Sequence, residues 1–179
     1  MFEALMKANC HSKSNLVKAI ARELLEKLYG CEINCVEIDT SIRFAHHARG
    51  CTIAAAKICK NVVIFQNVTI GANLRFNKVE RKWENVGNPI IDDNVIVGDG
   101  AKILGPITIG KSSVVAAGAI ITKNIPANSI AFGANQFRAK DANYDYIFNT
   151  NMISPDEIIA TNKRLIEQFE YQRSTDLTK

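Results

Sequence analysis

Histidine, proline and tryptophan are all scarce in this chain of 179 residues. There are 3 His, 4 Pro and 1 Trp. So few prolines, beside 10 Gly, exclude a collagen-like or low-complexity chain. No run of about 18 apolar residues occurs, so a membrane-spanning helix is not expected. The opening MFEALMKANCHSKSN lacks the apolar centre of a secretory leader, and a cytoplasmic location is expected. The 5 Cys (Cys10, Cys31, Cys35, Cys51, Cys59) are odd in number and irregularly spaced. Reduced thiols are expected rather than a disulfide framework or a zinc site. Charge is nearly balanced, 22 Lys+Arg against 18 Asp+Glu, for a net +4. The basic residues are scattered and not interleaved with aromatics, so nothing points to nucleic acid.

What is abundant is a beat of six. Ile91, Val97, Ile103, Ile109, Val115 and Ile121 are β-branched aliphatics at six-residue spacing. Each is followed four positions on by a residue that can point inward: Val95, Ala101, Ile107, Ser113, Ala119 and Ile125. An earlier block, Ile58, Ile64 and Ile70, repeats the pattern, with Val62, Val68 and Leu74 inward. Ile38 and Phe44 start a fainter pair. Six residues turn an α-helix through about 600°, which would scatter these side chains around its surface. Short strands joined by tight turns instead place every sixth residue at an equivalent site on a solenoid wall, with parallel ladders between coils. Asn61, Asn67, Asn94 and Gly100 fit the corners, which favour residues that tolerate positive φ.

Residues 72–89 break the period and carry Trp83. A long charged loop is expected there, with Trp83 packed on a neighbouring chain, a ligand or the loop's own stem. The flanks read as helices. Residues 14–29 carry Leu16, Ala19, Ile20, Leu24 and Leu28 as an apolar stripe, with Gly30 as the stop. Ser154 caps a second helix over roughly 155–172, with Ile158, Ile159, Leu165, Ile166 and Phe169 as its apolar face, and fraying is expected from Ser174. Helices here cap the open ends of a solenoid or bind a partner. The expected organisation is one domain: a helical segment 1–35, coils over 36–138 with the loop, and a helical segment 139–179.

Chemistry has few candidates. His11 lies in a polar stretch. His46 and His47 lie in FAHHARGCTI, where the six-residue register slips. Adjacent residues point different ways, so at most one of them faces a given cleft. A histidine there is either a proton acceptor at neutral pH or a stacked corner residue. Cys51 and Cys59, near in sequence, fit better as small apolar residues than as covalent nucleophiles.

FAHHARGCTI, IFQNVTIGA and NPIIDDNVIVGDGAKILGPITIG together resemble the hexapeptide-repeat acyltransferases, nearest the serine acetyltransferase and sugar O-acetyltransferase branch. The resemblance covers about 100 residues, from Ile38 to Arg138. It implies a mainly β fold, a left-handed parallel β-helix of about five coils with the loop inserted and an α-helix at each end. The general right-handed rule for parallel crossovers would have given the opposite hand. His47 matches the family histidine that takes a proton from the acceptor hydroxyl as it attacks acetyl-CoA, with a backbone N–H near the corner to hold the oxyanion. Asp99, Gly100, Ala117 and Gly118 match corners that contact the pantetheine arm. Lys123 and Arg138 match positions near the nucleotide phosphates. The family also implies a homotrimer with sites shared between chains. No metal is expected, because the chain lacks convergent His, Cys and carboxylate spacing.

Two departures bear on the acceptor. His46 stands where the serine enzymes have Asp, and Gly87-Asn88-Pro89 stands where they have Arg-His-Pro. A sugar hydroxyl, met by His46, Trp83 and Asn88, therefore fits better than free serine. A serine O-acetyltransferase-like enzyme, an N-acetyltransferase on an amino sugar and a non-catalytic β-helix scaffold are the alternatives. A γ-carbonic-anhydrase-like site needs three zinc-ligating histidines, and the repeat region holds only His46 and His47.

Overall fold

The beat of six closes into three walls. The structure, a computed structural model, describes residues 1–34, 37–144, 146 and 154–176. The chain enters through α1 (Phe2–His11) and α2 (Asn15–Tyr29). Short strands follow: β1 (Glu32–Ile33), β2 (Glu37–Ile38), β3 (Arg43–Phe44), β4 (Thr52–Ile53), β5 (Lys57–Ile58), β6 (Val63–Ile64) and β7 (Thr69–Gly71). A hairpin, β8 (Leu74–Asn77) and β9 (Lys82–Asn85), interrupts the series. It resumes with β10 (Ile90–Ile91), β11 (Ile96–Val97), β12 (Lys102–Leu104), β13 (Thr108–Ile109), β14 (Val114–Val115) and β15 (Ile120–Ile121). β16 (Ser129–Phe132) and β17 (Gln136–Ala139) end it, and α3 (Pro155–Asp176) follows. Met1–Tyr146 form one compact unit and Ile147–Lys179 a second.

β1, β4, β7, β12 and β15 pair in parallel as the first wall, and β2, β5, β10 and β13 as the second. β3, β6, β11, β14 and β16 form the third, where β17 turns back antiparallel on β16. Register stacks like on like. Ile53, Ile70, Ile103 and Ile121 are partners on the first wall. Ile38, Ile58, Ile91 and Ile109 are partners on the second. Phe44, Ile64, Val97, Val115 and Ala131 are partners on the third. Apart from Ile38 and Phe44, every one of these is at most 1% exposed. Each buried Ile or Val contributes about 1.5–3 kcal/mol of transfer free energy, so this column drives the fold. Ser113 is one of three buried polar residues among the described ones, with Asn9 and Ser129, and its Oγ donates to the Pro126 carbonyl at 2.8 Å and accepts from the Ser129 N–H at 3.1 Å.

The corners turn at positive φ, with Asn61, Asn67 and Asn94 at 56–58° and Gly100 at 69°. They also bond between coils: Asn61 Nδ2 donates to Asn94 Oδ1 at 3.2 Å, and Asn67 Nδ2 to Asp99 Oδ1 at 3.1 Å.

Three expectations need correction. The N-terminal segment holds two helices, not one, because FEALMKANCH packs Phe2 and Met6 into the core despite lacking a side-chain cap. α2 is capped by Ser14, whose Oγ accepts from the Val17 N–H, and stopped by Gly30 at φ 62°, as the sequence implies. Its buried face, however, is Ala21, Leu25 and the partly buried Tyr29, while Leu16, Ile20 and Leu28 are 71%, 52% and 51% exposed. That face meets α1 and β1, and the larger stripe is left on the outside. Finally, residues 72–89 are not a loop but carry the ordered hairpin β8–β9, in which Leu74 pairs with Asn85 and is exposed, not inward.

In the second unit, Ser154 Oγ accepts from the Glu157 N–H at 3.2 Å, capping α3 as expected. The helix runs on to Asp176, past Ser174 where fraying was expected. No helix among the described residues is long and apolar enough to cross a membrane.

Candidate active site

The turn from the third wall to the first between β3 and β4 is longer than its equivalents higher up. It contains the tight turn Ala45–Ala48, in which His46, His47 and Ala48 have φ of 52°, 56° and 54°. Left-handed backbone costs a non-glycine residue roughly 1–2 kcal/mol. Such strain persists only where the surroundings over-determine it, and it gathers at functional sites. Here the clamps are visible. Ala48 is fully buried, its carbonyl accepts from the Cys51 N–H at 3.0 Å, and the Gly50 N–H donates to the Gly30 carbonyl at 3.1 Å. Gly50 sits at φ 68°, where an added Cβ would strike Asn67 Oδ1 and force that side chain off its bond to Asp99.

The two imidazoles part company. The His47 ring lies 5.5 Å from the Phe2 ring at 66° and 5.6 Å from the Tyr29 ring at 43°. The His46 ring lies 6.3 Å from Phe65 instead. Both histidines are exposed to solvent.

Above this turn, the corners of the same edge form a ladder. The Asn67 N–H donates to the Arg49 carbonyl at 2.8 Å, Gly100 N–H to Gln66 at 3.1 Å, and Gly118 N–H to Asp99 at 2.8 Å. The coils approach closely: a Cβ on Gly98 would lie 2.7 Å from the Ala117 nitrogen. His46, His47, Asp99, Gly100, Ala117 and Gly118 thus share one edge of the prism, here termed the histidine edge. Ala117 and Gly118 are exposed, and a Cβ on Gly118 would meet nothing within 4 Å, so the upper edge is bare enough for an extended chain.

The other candidates lie elsewhere. Lys123 follows β15, at the edge between first and second walls, and Arg138 lies on β17 opposite Ile130. Trp83 and Asn88 belong to the excursion from that same first-to-second edge. Trp83 packs on its own stem, 5.5 Å from Phe76 and 63° to it, and is 69% exposed. Asn88 is turned to the chain: its Nδ2 donates to the Ala54 carbonyl at 2.6 Å and its Oδ1 accepts from Asn85 Nδ2 at 3.0 Å.

Cys51 is buried and its Sγ donates to the Phe65 carbonyl at 3.2 Å, while burial raises its pKa. Burial also raises that of Cys59. Thiols held protonated are poor nucleophiles. Cys59, Asp92 and Asp93 place ligand atoms within 4.8 Å of one another on the second-to-third edge. Both aspartates already serve the turns, since Asp93 Oδ1 accepts from the Lys60 N–H and Asp92 Oδ1 from the Asp93 N–H.

Sequence reasoning missed Lys102, Phe2 and Tyr29. Lys102 Nζ donates to the Asn67 carbonyl at 3.1 Å and to Thr69 Oγ1 at 3.0 Å, which sets a cation beside the Asp99 corner. The repeat could have found it, since Lys102 and Thr69 hold the same place in their coils. Nothing in the sequence ties Phe2 or Tyr29 to His47.

Three parallel walls, asparagine corners and a strained histidine turn define a hexapeptide β-helix. The family pattern for bacterial transferase hexapeptide (six repeats) matches residues 88–123. A serine acetyltransferase of Mycobacterium tuberculosis is 32% identical over 121 residues, covering 67% of this chain and 50% of that protein. A putative acetyltransferase of Schizosaccharomyces pombe is 32% identical over 141 residues, covering 68% of this chain and 67% of that one. The crystal structure of Neisseria gonorrhoeae serine acetyltransferase superposes with a TM-score of 0.56 at 20% identity, over 76% of this chain and 51% of that one. That likeness brings with it the left-handed parallel β-helix. This chain belongs to the hexapeptide-repeat acyltransferase family. It spans about half or less of the length of the serine acetyltransferase sequences it matches.

Proposed function

We propose that this chain is an acetyl-CoA-dependent O-acetyltransferase acting in the cytoplasm on a small hydroxyl acceptor, with His47 as its general base. The observation that carries this reading is the histidine edge. A strained turn presents an imidazole at one end of a column of small, exposed corners. In the proposed chemistry acetyl-CoA supplies an activated acetyl group. The protein's part is to align a narrow donor along Asp99-Gly100 and Ala117-Gly118, and to take the acceptor's hydroxyl proton at an imidazole nitrogen of His47.

His47 and the hairpin lie on different edges of one prism. A second copy, set edge to edge, would bring Trp83 and Asn88 of one chain toward the histidine edge of another. This supports the homotrimer with shared sites. Lys123 and Arg138, off the histidine edge, would likewise meet nucleotide phosphates across such a seam.

Two acceptors are favoured by separate observations. The names of the relatives favour L-serine. The exposed Trp83, with Phe76 beside it, and the inward-turned Asn88 favour a sugar hydroxyl, since an aromatic face suits a sugar ring and Asn88 itself carries no charge to pair with a carboxylate. Release of free CoA thiol, measured with acetyl-CoA and a panel of serine, hexoses and amino sugars, separates them. A His47→Ala change should lower turnover by about 10²–10⁴-fold. Undiminished transfer in that variant removes His47 as the base.

A further inference from the structure

We infer that Phe2 and Tyr29 are positioning residues for His47, so that the N-terminal helices are part of the catalytic apparatus rather than an end cap alone. This rests on the reading of His47 as the base. The His47 backbone sits in a left-handed conformation that its own sequence does not favour, and its ring is exposed on the solvent side. Among the described residues, no hydrogen bond or ion pair from the turn holds that ring. What it meets are two rings from two different helices, Phe2 at the start of α1 and Tyr29 at the end of α2.

These two rings are themselves locked. Phe2 is 5% exposed and stands edge-on to Tyr29 at 5.1 Å and 71°, and to Phe44 at 6.0 Å and 82°. Phe44 belongs to β3, immediately before the histidine turn. The aromatic cluster therefore joins α1, α2 and the turn's incoming strand, and His47 is its outermost member. The Phe2 contact is edge-to-face and the Tyr29 contact is tilted, and ring contacts of this kind are directional as well as apolar. They narrow the range of ring planes open to the imidazole, and among the described residues neither ring nitrogen has a hydrogen-bond partner, which leaves the nitrogens for an acceptor hydroxyl. His46, one residue earlier and beside Phe65, lacks this cradle.

The test uses the full chain and acetyl-CoA with whichever acceptor supports turnover. Phe2→Ala and Tyr29→Ala should each lower kcat about ten- to a hundredfold, the scale of a misplaced catalytic group, while KM for acetyl-CoA stays within about twofold. Tyr29→Phe, which keeps the ring and loses only the hydroxyl, should recover most of the kcat lost in Tyr29→Ala. A second readout needs no activity. Proton NMR on histidine-labelled protein should show nuclear Overhauser contacts from the His47 ring to both aromatic rings, and Tyr29→Ala should shift the His47 ring signals while those of His11 stay put. A kcat unchanged in both alanine variants overturns the proposal, as does a His47 ring with no contact to either aromatic. If His47→Ala keeps full activity while the ring contacts are present, the assignment of the base falls and the role of the two rings in catalysis falls with it.

Discussion

The Gly118 N–H donates to the Asp99 carbonyl at 2.8 Å, so the corner of one coil hangs directly from the corner below. The two glycines nearby are not equivalent. A Cβ on Gly98 would lie 2.7 Å from the Ala117 nitrogen, whereas one on Gly118 would meet nothing within 4 Å. Gly98→Ala must therefore push two coils apart, at a cost of about 1–3 kcal/mol. Gly118→Ala has only its φ of 68° to overcome, about 1–2 kcal/mol. Thermal unfolding should show the larger loss of Tm for Gly98→Ala. Kinetics should show the larger rise in KM for acetyl-CoA for Gly118→Ala, because its methyl enters the bare stretch of the edge. The reverse order on both measurements would count against the donor lying there.

Asn67 combines a φ of 58° with a side-chain bond to Asp99. Asn67→Gly loses the bond but keeps the permitted backbone. Asn67→Val loses the bond and forces a β-branched residue into the left-handed region. Urea unfolding should rank them wild type, then Gly, then Val, with Val lower than Gly by about 1 kcal/mol or more. Equal stability of the two variants would mean that the corner does not depend on positive φ.

The thiols of Cys10 and Cys31 are pushed up from 9.0 to about 11, chiefly by burial. A folded-state pKa above the unfolded value means the folded protein holds its protons longer. The stability this gives is complete below pH 9.0 and is lost as pH rises toward about 11. Denaturant midpoints should fall across that window, and less steeply in Cys31→Val, which has one thiol fewer to titrate. The same slope with and without Cys31 would contradict this.

Glu84 ties the hairpin together, accepting from Asn77 Nδ2 at 2.8 Å and Arg75 Nε at 2.8 Å. Those hydrogen bonds hold its carboxyl below the ordinary value of 4.5. Because the folded pKa is depressed, this support is present above pH 4.5 and is lost as pH falls through the lower folded value. Trp83 is the 1 tryptophan in the chain, so its fluorescence reports on the hairpin alone. Anisotropy of Trp83 should drop in Glu84→Ala at neutral pH and in the wild type on acidification. Steady anisotropy in the variant would show that strand pairing suffices without the carboxylate.

The walls were legible because burial there has a period. Ile91, Val97, Ile103 and their partners repeat every six residues, and each is buried where the repeat puts it. Leu74 obeys the same count yet is exposed, because the chain has already left the coil at Gly71 and paired with itself. The α2 stripe misled for another reason. Ala21 and Leu25 lie on the face that meets α1 and β1, and the sequence does not state on which side of α2 those elements come to lie. The α1 helix is short and has no side-chain cap, so no start signal marks it. At the site, the pair His46-His47 was visible and its left-handed backbone was not, since neither histidine nor alanine announces positive φ. Which imidazole meets Phe2 and Tyr29 depends on helices that precede the turn and follow no repeat.

A stack of parallel rungs has no inherent length, because its last coil offers the next chain the same template it offered itself. In this molecule β17 reverses direction against β16 on the third wall. A newcomer approaching that wall would meet β17 rather than the next parallel rung, and at the other end α1 and α2 lie against the first coil. The reversal means that the parallel ladder of the third wall ends inside this chain, and that the outer edge there belongs to a strand of opposite direction.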